Sequence, residues 1–143
     1  MPLLNYSTTI PAQKTIAEVQ SLLAKAGATA ILSEYDNAGN VMSLSFKMRL
    51  NNSEIGFRLP SEPEKILQLI KTQRGVPTRF QNIEQARKIT WRIIKDWVEA
   101  QLAIIETQMV KPEQVFLPYA ITNDGCTLYE KVMSDRLLLG YRD

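Results

Sequence analysis

The chain contains no histidine. That removes the commonest general base near neutrality, the histidine-dependent nucleophilic triads and every imidazole metal site. A single cysteine, Cys126, cannot close an internal disulfide, and one thiol cannot build a metal cluster. Cys126 follows a turn at Asn123-Asp124-Gly125 with no imidazole to activate it, so it reads as a structural thiol. No apolar run approaches the roughly 20 residues needed to cross a bilayer. The opening Met-Pro-Leu-Leu-Asn-Tyr-Ser lacks the cationic start and apolar core of a secretory signal. These absences lead to the expectation of a non-enzymatic chain without cofactor or metal, in a reducing cytoplasm and not in a membrane.

What is present is ordinary for a folded domain. A hydrophobic content of 45% against 22% charged residues lies well away from disorder, and 143 residues can bury a core without staples. One domain, 1–143, is expected. Within it, 1–75 reads as strand, helix, three strands and helix, 82–110 as one long helix, and 111–143 as a tail that packs back or forms an oligomer interface.

Turn and cap residues set those boundaries. Leu3–Ile10 is rich in β-formers and predicts an edge strand ended by Pro11. Thr15 with Glu18 makes a candidate capping box for a helix stopped by Gly27, and Ser61 with Glu64 makes a second. Between them, Met42, Leu44, Phe46 and Met48 alternate with Ser43, Ser45, Lys47 and Arg49, the pattern of a half-buried antiparallel strand. Ile55, Phe57 and Leu59 repeat it after Asn51-Asn52-Ser53. Arg74–Phe80 reads as a linker. Asn82 with Gln85 caps the long helix, Ile83 to about Met109, and Pro112 stops it. A last short helix is expected from Thr127 to Leu139. The fold class is therefore α+β, a small antiparallel sheet of three to four strands with helices on one face, the long helix and a folded tail.

The long helix carries the most specific question. Placed at 100° steps, Ile83, Ala86, Ile89, Thr90, Ile93, Ile94, Trp97, Val98, Ala100, Leu102, Ile104 and Ile105 fill an apolar arc. An ordinary surface helix needs only about 100°, and this arc exceeds half the circumference, so the helix is expected to be covered on two sides. Trp97 sits mid-arc and reads as core. Trp91 sits at the edge, open either to core packing or to stacking against a ligand. Lys88, Arg92 and Lys95 share the polar face, either solvated or binding. Arg87 lies inside the arc and must have a partner, internal or ligand, because an unpaired buried guanidinium is too costly.

Between Lys71 and Lys95 lie seven of the seventeen cations and one acid, Glu84; the other ten cations face fourteen acids. Segregated charge of this kind points to an anionic partner more than the net +2 does. Arg74, Arg79, Arg87, Lys88, Trp91, Arg92 and Lys95 are thus candidate ligand- or nucleic-acid-binding residues. The tail aromatics Phe116, Tyr119, Tyr129 and Tyr141 fold back over the long helix or form an oligomer interface; Phe116, Tyr119 and Tyr129 are the interface candidates.

The α-β-β-β-α portion has the element order of a double-stranded-RNA-binding domain. That likeness is of order only, since the second helix of that family opens with a lysine cluster and here it opens Pro63-Glu64-Lys65. A broader likeness is carried by "WRIIKDWVEAQLAIIETQMVKPEQVFLPYAI", "GCTLYEKV" and the opening "NYSTTIPAQKTIAEVQSLLAKAGATAILSEYD". Together they resemble a family of short proteins of bacteriophages and related mobile elements. The resemblance implies an accessory role in a bacterial cytosol, in phage DNA handling or in blunting host defence, and carries no catalytic residue. Two expectations follow: a homo-oligomeric binding protein whose basic corner contacts a nucleic acid or nucleotide-like anion, or a protein–protein inhibitor or adaptor acting on a host protein.

Overall fold

The computed structural model describes residues 2–135. In chain order the elements are α1 (Ala12–Lys25), β1 (Ala28–Tyr35), β2 (Val41–Leu50), β3 (Ser53–Arg58), α2 (Pro63–Thr72), a 3-10 turn (Thr78–Phe80), α3 (Ile83–Glu106), α4 (Pro112–Phe116), a second 3-10 turn (Leu117–Tyr119) and α5 (Leu128–Asp135). The protein is α+β, with one antiparallel sheet in the order β1-β2-β3 among the described residues. By its contacts the chain divides into two compact units, one of residues 2–23 and 61–100, the other of 24–60 and 101–135.

In the first unit, the expected N-terminal strand is absent. Leu3–Ser7 forms turns instead, with Tyr6 N–H donating to Leu3 O and Thr8 N–H to Asn5 O. Asn5 adopts a left-handed φ of 66° that a strand cannot contain. Side chains take the backbone groups a neighbouring strand would have used. Gln73 Oε1 accepts from Leu3 N–H, and the buried Gln85 donates from Nε2 to both Tyr6 O and Thr8 O.

Two expected capping boxes are also absent. The first turn of α1 closes on Pro11 O, which accepts from Lys14 and Thr15 N–H, so Thr15 lies inside the helix and is buried. The residue flanking α2 is Glu62, which makes no side-chain cap bond, and Ser61 Oγ has no hydrogen-bond partner among the described residues. The stop at Gly27, φ 104°, and the cap at Asn82 are as expected, with Gln85 N–H donating to Asn82 Oδ1 at 2.9 Å. Ile70, Val76, Ala86 and Ile89 form a core cluster, with Leu3, Tyr6, Phe80 and Ile93 packed against it. On α3 the buried residues Gln85, Ala86, Ile89, Thr90, Trp91, Ile94 and Val98 spread over more than half the helix circumference. Of the two tryptophans, Trp91 takes the core alternative and is 1% exposed, while Trp97, expected in the core, is half-buried.

The second unit is built on the sheet. β2 pairs with β3 through Phe46↔Phe57 and Met48↔Ile55, and with β1 through Ile31↔Phe46 and Leu32↔Ser45. The β2–β3 hairpin turns on Asn51 and Asn52, both at positive φ (49° and 68°), the geometry of a two-residue type I′ loop. At the β1–β2 turn, Asp36 Oδ1 accepts from the N–H groups of Ala38 and Asn40. The alternating residues Leu44, Phe46, Met48 and Phe57 are buried, but Met42 is exposed. Phe116 of α4 packs its ring against Phe46 at 5.3 Å and Phe57 at 5.8 Å. Burial of each such ring is worth about 1.5–3 kcal/mol, so this triad anchors the unit.

The tail carries a further short helix ahead of the one expected from Thr127. α3 ends at Glu106, followed by Gln108 at φ 66°, and Pro112 opens α4 instead of only ending the preceding helix. Ala120 bridges Phe57, and Ile121 N–H donates to Gly56 O at 2.8 Å, so the tail lies along the outer edge of β3. Thr127 and Glu130 then cap α5 reciprocally, Glu130 Oε1 accepting from Thr127 N–H and Thr127 Oγ1 from Glu130 N–H. The expected end of this helix at Leu139, and Tyr141, lie outside the described residues.

Candidate functional site

The corner between α2 and α3 holds three exposed cations of the first unit, Lys71, Arg74 and Arg79. Thr72 ends α2, and the Gln73 N–H closes its last turn on Leu69 O. The chain then reverses through Gly75, φ 88°, where an added Cβ would meet Pro2 at 3.3 Å. Val76 is buried and pins the segment from below. Gln81 Nε2 donates to Val76 O, and Asn82 Nδ2 donates to Arg79 O, so the loop expected as a plain linker is fixed by its own side chains.

Phe80 packs partly against the core cluster and meets Tyr6 edge-to-face, ring centroids 6.0 Å apart. The Arg79 guanidinium carbon lies 4.7 Å above the Phe80 ring. A cation over an aromatic face is held without a carboxylate, at about 0.5–1 kcal/mol when exposed, so its N–H groups stay available. Lys71, Arg74 and Arg79 are exposed, Lys88 is half-buried, and none of the four has an ion pair among the described residues.

The other candidates on α3 are spoken for. Arg92 donates to Glu18 Oε2 at 2.8 Å and lies 3.4 Å from Thr15 Oγ1, both on α1. Thr15 and Glu18, expected as a cap, thus hold this arginine instead. Lys95 pairs with Glu99 at 3.1 Å and lies 4.0 Å from Asp96, whose Oδ2 accepts from Asn5 Nδ2. The shallow cleft of about 440 Å³ beside these residues, lined by Glu18, Ser21, Arg92, Lys95 and Glu99, carries two cations and two acids and has no excess charge to offer an anion. Arg87 is half-buried and engaged, as the cost of an unpaired guanidinium requires. Trp91 is buried, so its indole packs in the core and presents no stacking face.

Of the interface candidates, Phe116 is fully buried in its aromatic triad and is a core residue of its own unit. Tyr119 is half-buried, and Tyr129 is 58% exposed. Cys126 Sγ lies 3.3 Å from Thr122 Oγ1, within the turn that both residues close. Hydrogen bonding to Thr127 holds the Glu130 carboxyl below its ordinary range. Its hydrogen bond to Asp124 raises Lys131.

A second concavity lies on the open face of the sheet. It is a groove of about 360 Å³, lined by Leu32, Ser45, Lys47, Gly56, Arg58 and Ile121 among others. Arg58 Nη2 donates to Gly125 O at 3.0 Å, while Lys47 has no ion pair among the described residues. Sequence reasoning has no signal for this groove, because it joins β1, β3 and a tail residue far apart in the chain.

Among the described residues no three carboxylate or thiol groups converge in a way that could hold a metal ion. No described helix is long and apolar enough to cross a membrane. No protein-family model, curated protein or solved structure matches the chain.

Proposed function

We propose that this chain is a non-enzymatic binding protein that contacts a nucleic acid or a nucleotide-like anion through the corner formed by Lys71, Arg74, Arg79 and Lys88. One observation carries the reading: the exposed Arg79 guanidinium rests on Phe80, braced by Tyr6, with no carboxylate paired to it among the described residues. A guanidinium held on a ring can donate two parallel hydrogen bonds to phosphate oxygens. The half-buried Phe80 and Tyr6 rings beside it can meet a base or sugar with the part left uncovered. Lys71, in the last turn of α2, adds charge where a helix C-terminus favours cations, and Arg74 follows just beyond the helix end.

The corner is smaller than the charge run in the sequence implied, because Trp91, Arg92 and Lys95 serve the fold. Four cations would neutralise about four phosphates, and the logarithm of affinity should then fall with the logarithm of salt at a slope near −3 to −4. Fluorescence anisotropy with labelled single-stranded and duplex DNA and RNA, at several salt concentrations, measures that slope. Binding that is insensitive to salt, or unchanged when Lys71, Arg74, Arg79 and Lys88 are all replaced by glutamine, would exclude the reading.

A further inference from the structure

We propose that β1 is an interface for a second copy of this chain, the two β1 strands pairing antiparallel about Leu32 to join two three-stranded sheets into one. The proposal is independent of the basic corner. It starts from the unequal treatment of the two sheet edges. The tail covers β3 through Ala120 and Ile121, whereas no described strand lies on the outer side of β1. Along that open edge Leu32 is 59% and Tyr35 60% exposed, and Ala30 and Glu34 are exposed as well.

Natural edges are blunted by lysine, proline, bulges or a covering segment. The β1 sequence, ATAILSEY, contains no lysine, arginine or proline. Its two pairing irregularities fall at the ends, between Ala28 and Ala30 and between Glu34 and Tyr35, so the stretch from Ala30 to Glu34 is regular. An edge of this kind is a template for another strand.

Charge selects the occupant. Ala30, Leu32 and Glu34 point to the open face, where Ala30 stands beside Lys47 and Glu34 beside Ser43, whose Oγ donates to it. A two-fold axis at Leu32 sets Ala30 opposite the second copy's Glu34 and Leu32 opposite the second copy's Leu32. Along the resulting row the order is Gly56, Lys47, Ala30 and then the second copy's Glu34. With strands about 4.8 Å apart, Lys47 and that glutamate are roughly 10 Å apart at Cα. Only the Ala30 methyl lies between, so the two long side chains can meet above it. The axis repeats the pair, and two Lys47–Glu34 contacts flank a Leu32–Leu32 contact. A self-complementary patch is what an isologous dimer requires. The groove that begins at Leu32 is then bordered by the leucine of the second copy.

Sedimentation velocity on the full chain, from low to high micromolar concentration, tests this. The expected result is a dimer for the wild type. Leu32→Glu should give a monomer with unchanged circular dichroism. Glu34→Lys and Lys47→Glu should each raise the dissociation constant at least about tenfold, and the double exchange should restore it. In a Cys126→Ser background, Leu32→Cys should oxidise to a covalent dimer, because paired Cβ atoms lie about 4.5–5.5 Å apart. A wild type that stays monomeric overturns the proposal. So does a dimer indifferent to Leu32→Glu and to both charge variants, or one whose Leu32→Cys variant fails to cross-link.

Discussion

The Arg92 guanidinium donates to Glu18 at 2.8 Å, bypassing the Asp96 that lies one helical turn further along its own helix. The pair is partly covered, with side-chain exposures of 15% for Arg92 and 34% for Glu18, and Thr15 beside it is fully buried. Arg92→Ala should therefore lower unfolding stability by about 1–3 kcal/mol, as expected for a hydrogen bond to a charged group. Lys88→Ala should change it by less than about 0.5 kcal/mol. A double-mutant cycle with Glu18→Ala, read by urea denaturation, should return a coupling above about 0.5 kcal/mol. Zero coupling would mean that Arg92 is merely solvated and available to a ligand.

Phe116 illustrates the same division between fold and surface in the tail. Its ring fills the space above Phe46 and Phe57. Truncation to alanine should cost about 3–5 kcal/mol, the sum of lost transfer energy and a residual cavity. Tyr129→Ala, at a 58% exposed position, should stay within about 0.5 kcal/mol. Chemical denaturation of both variants measures this, and a Phe116→Ala protein of native stability would restore Phe116 as an interface residue.

Local signals in the chain are reliable where one element decides the outcome. The Asn82 cap, the stop at Gly27 and most of the alternation in β2 and β3 depend on neighbours a few residues away and are found, although Met42 is exposed and Ser45 buried. The failures share a different cause. Helical angles say which α3 residues share a face but not where the covering elements end, so they leave Trp91 open between core and surface and put the half-buried Trp97 in mid-arc. The β-forming run at Leu3–Ile10 loses its strand because Gln73 and Gln85, more than 60 residues away, take its backbone groups. Thr15 and Glu18 look like a cap because Pro11, which starts the helix a turn earlier, also reads as the end of a strand. The charge run marks the right segment but cannot separate the paired Arg92 and Lys95 from Lys71 and Arg74, whose carboxylate partners are lacking among the described residues. The pattern T-x-x-E at Thr127–Glu130 is a legible capping signal at the start expected for the last helix.

That cap makes a pH-dependent prediction. Backbone and side-chain hydrogen bonds from Thr127 hold the Glu130 carboxyl below its ordinary range. A folded-state pKa lowered in this way contributes stability that is present above the unfolded value and is lost as pH falls through the folded one. The start of α5 should therefore be protected at neutral pH and open on acidification below the ordinary glutamate range. Amide hydrogen exchange at Thr127 reads the opening, and Glu130→Gln, which keeps the acceptor without the charge, should remove its pH dependence.

Arg79 and Phe80 make the sharpest separation between charge and stacking. Arg79→Gln removes one phosphate contact and should reduce the salt slope of nucleic-acid binding by about 1. Phe80→Leu keeps every charge, so the slope should stay the same. The guanidinium then loses the ring 4.7 Å beneath it and becomes free to sample orientations that do not bind. Affinity should fall about three- to tenfold at every salt concentration, in line with a cation–π contact of about 0.5–1 kcal/mol and some lost base stacking. Tyr6→Leu, which removes the brace and leaves the ring, should fall between wild type and Phe80→Leu. Anisotropy titrations at three salt concentrations distinguish these outcomes. A parallel loss of slope in Phe80→Leu would show that the ring only positions charge, and an unchanged slope in Arg79→Gln would remove Arg79 from the contact.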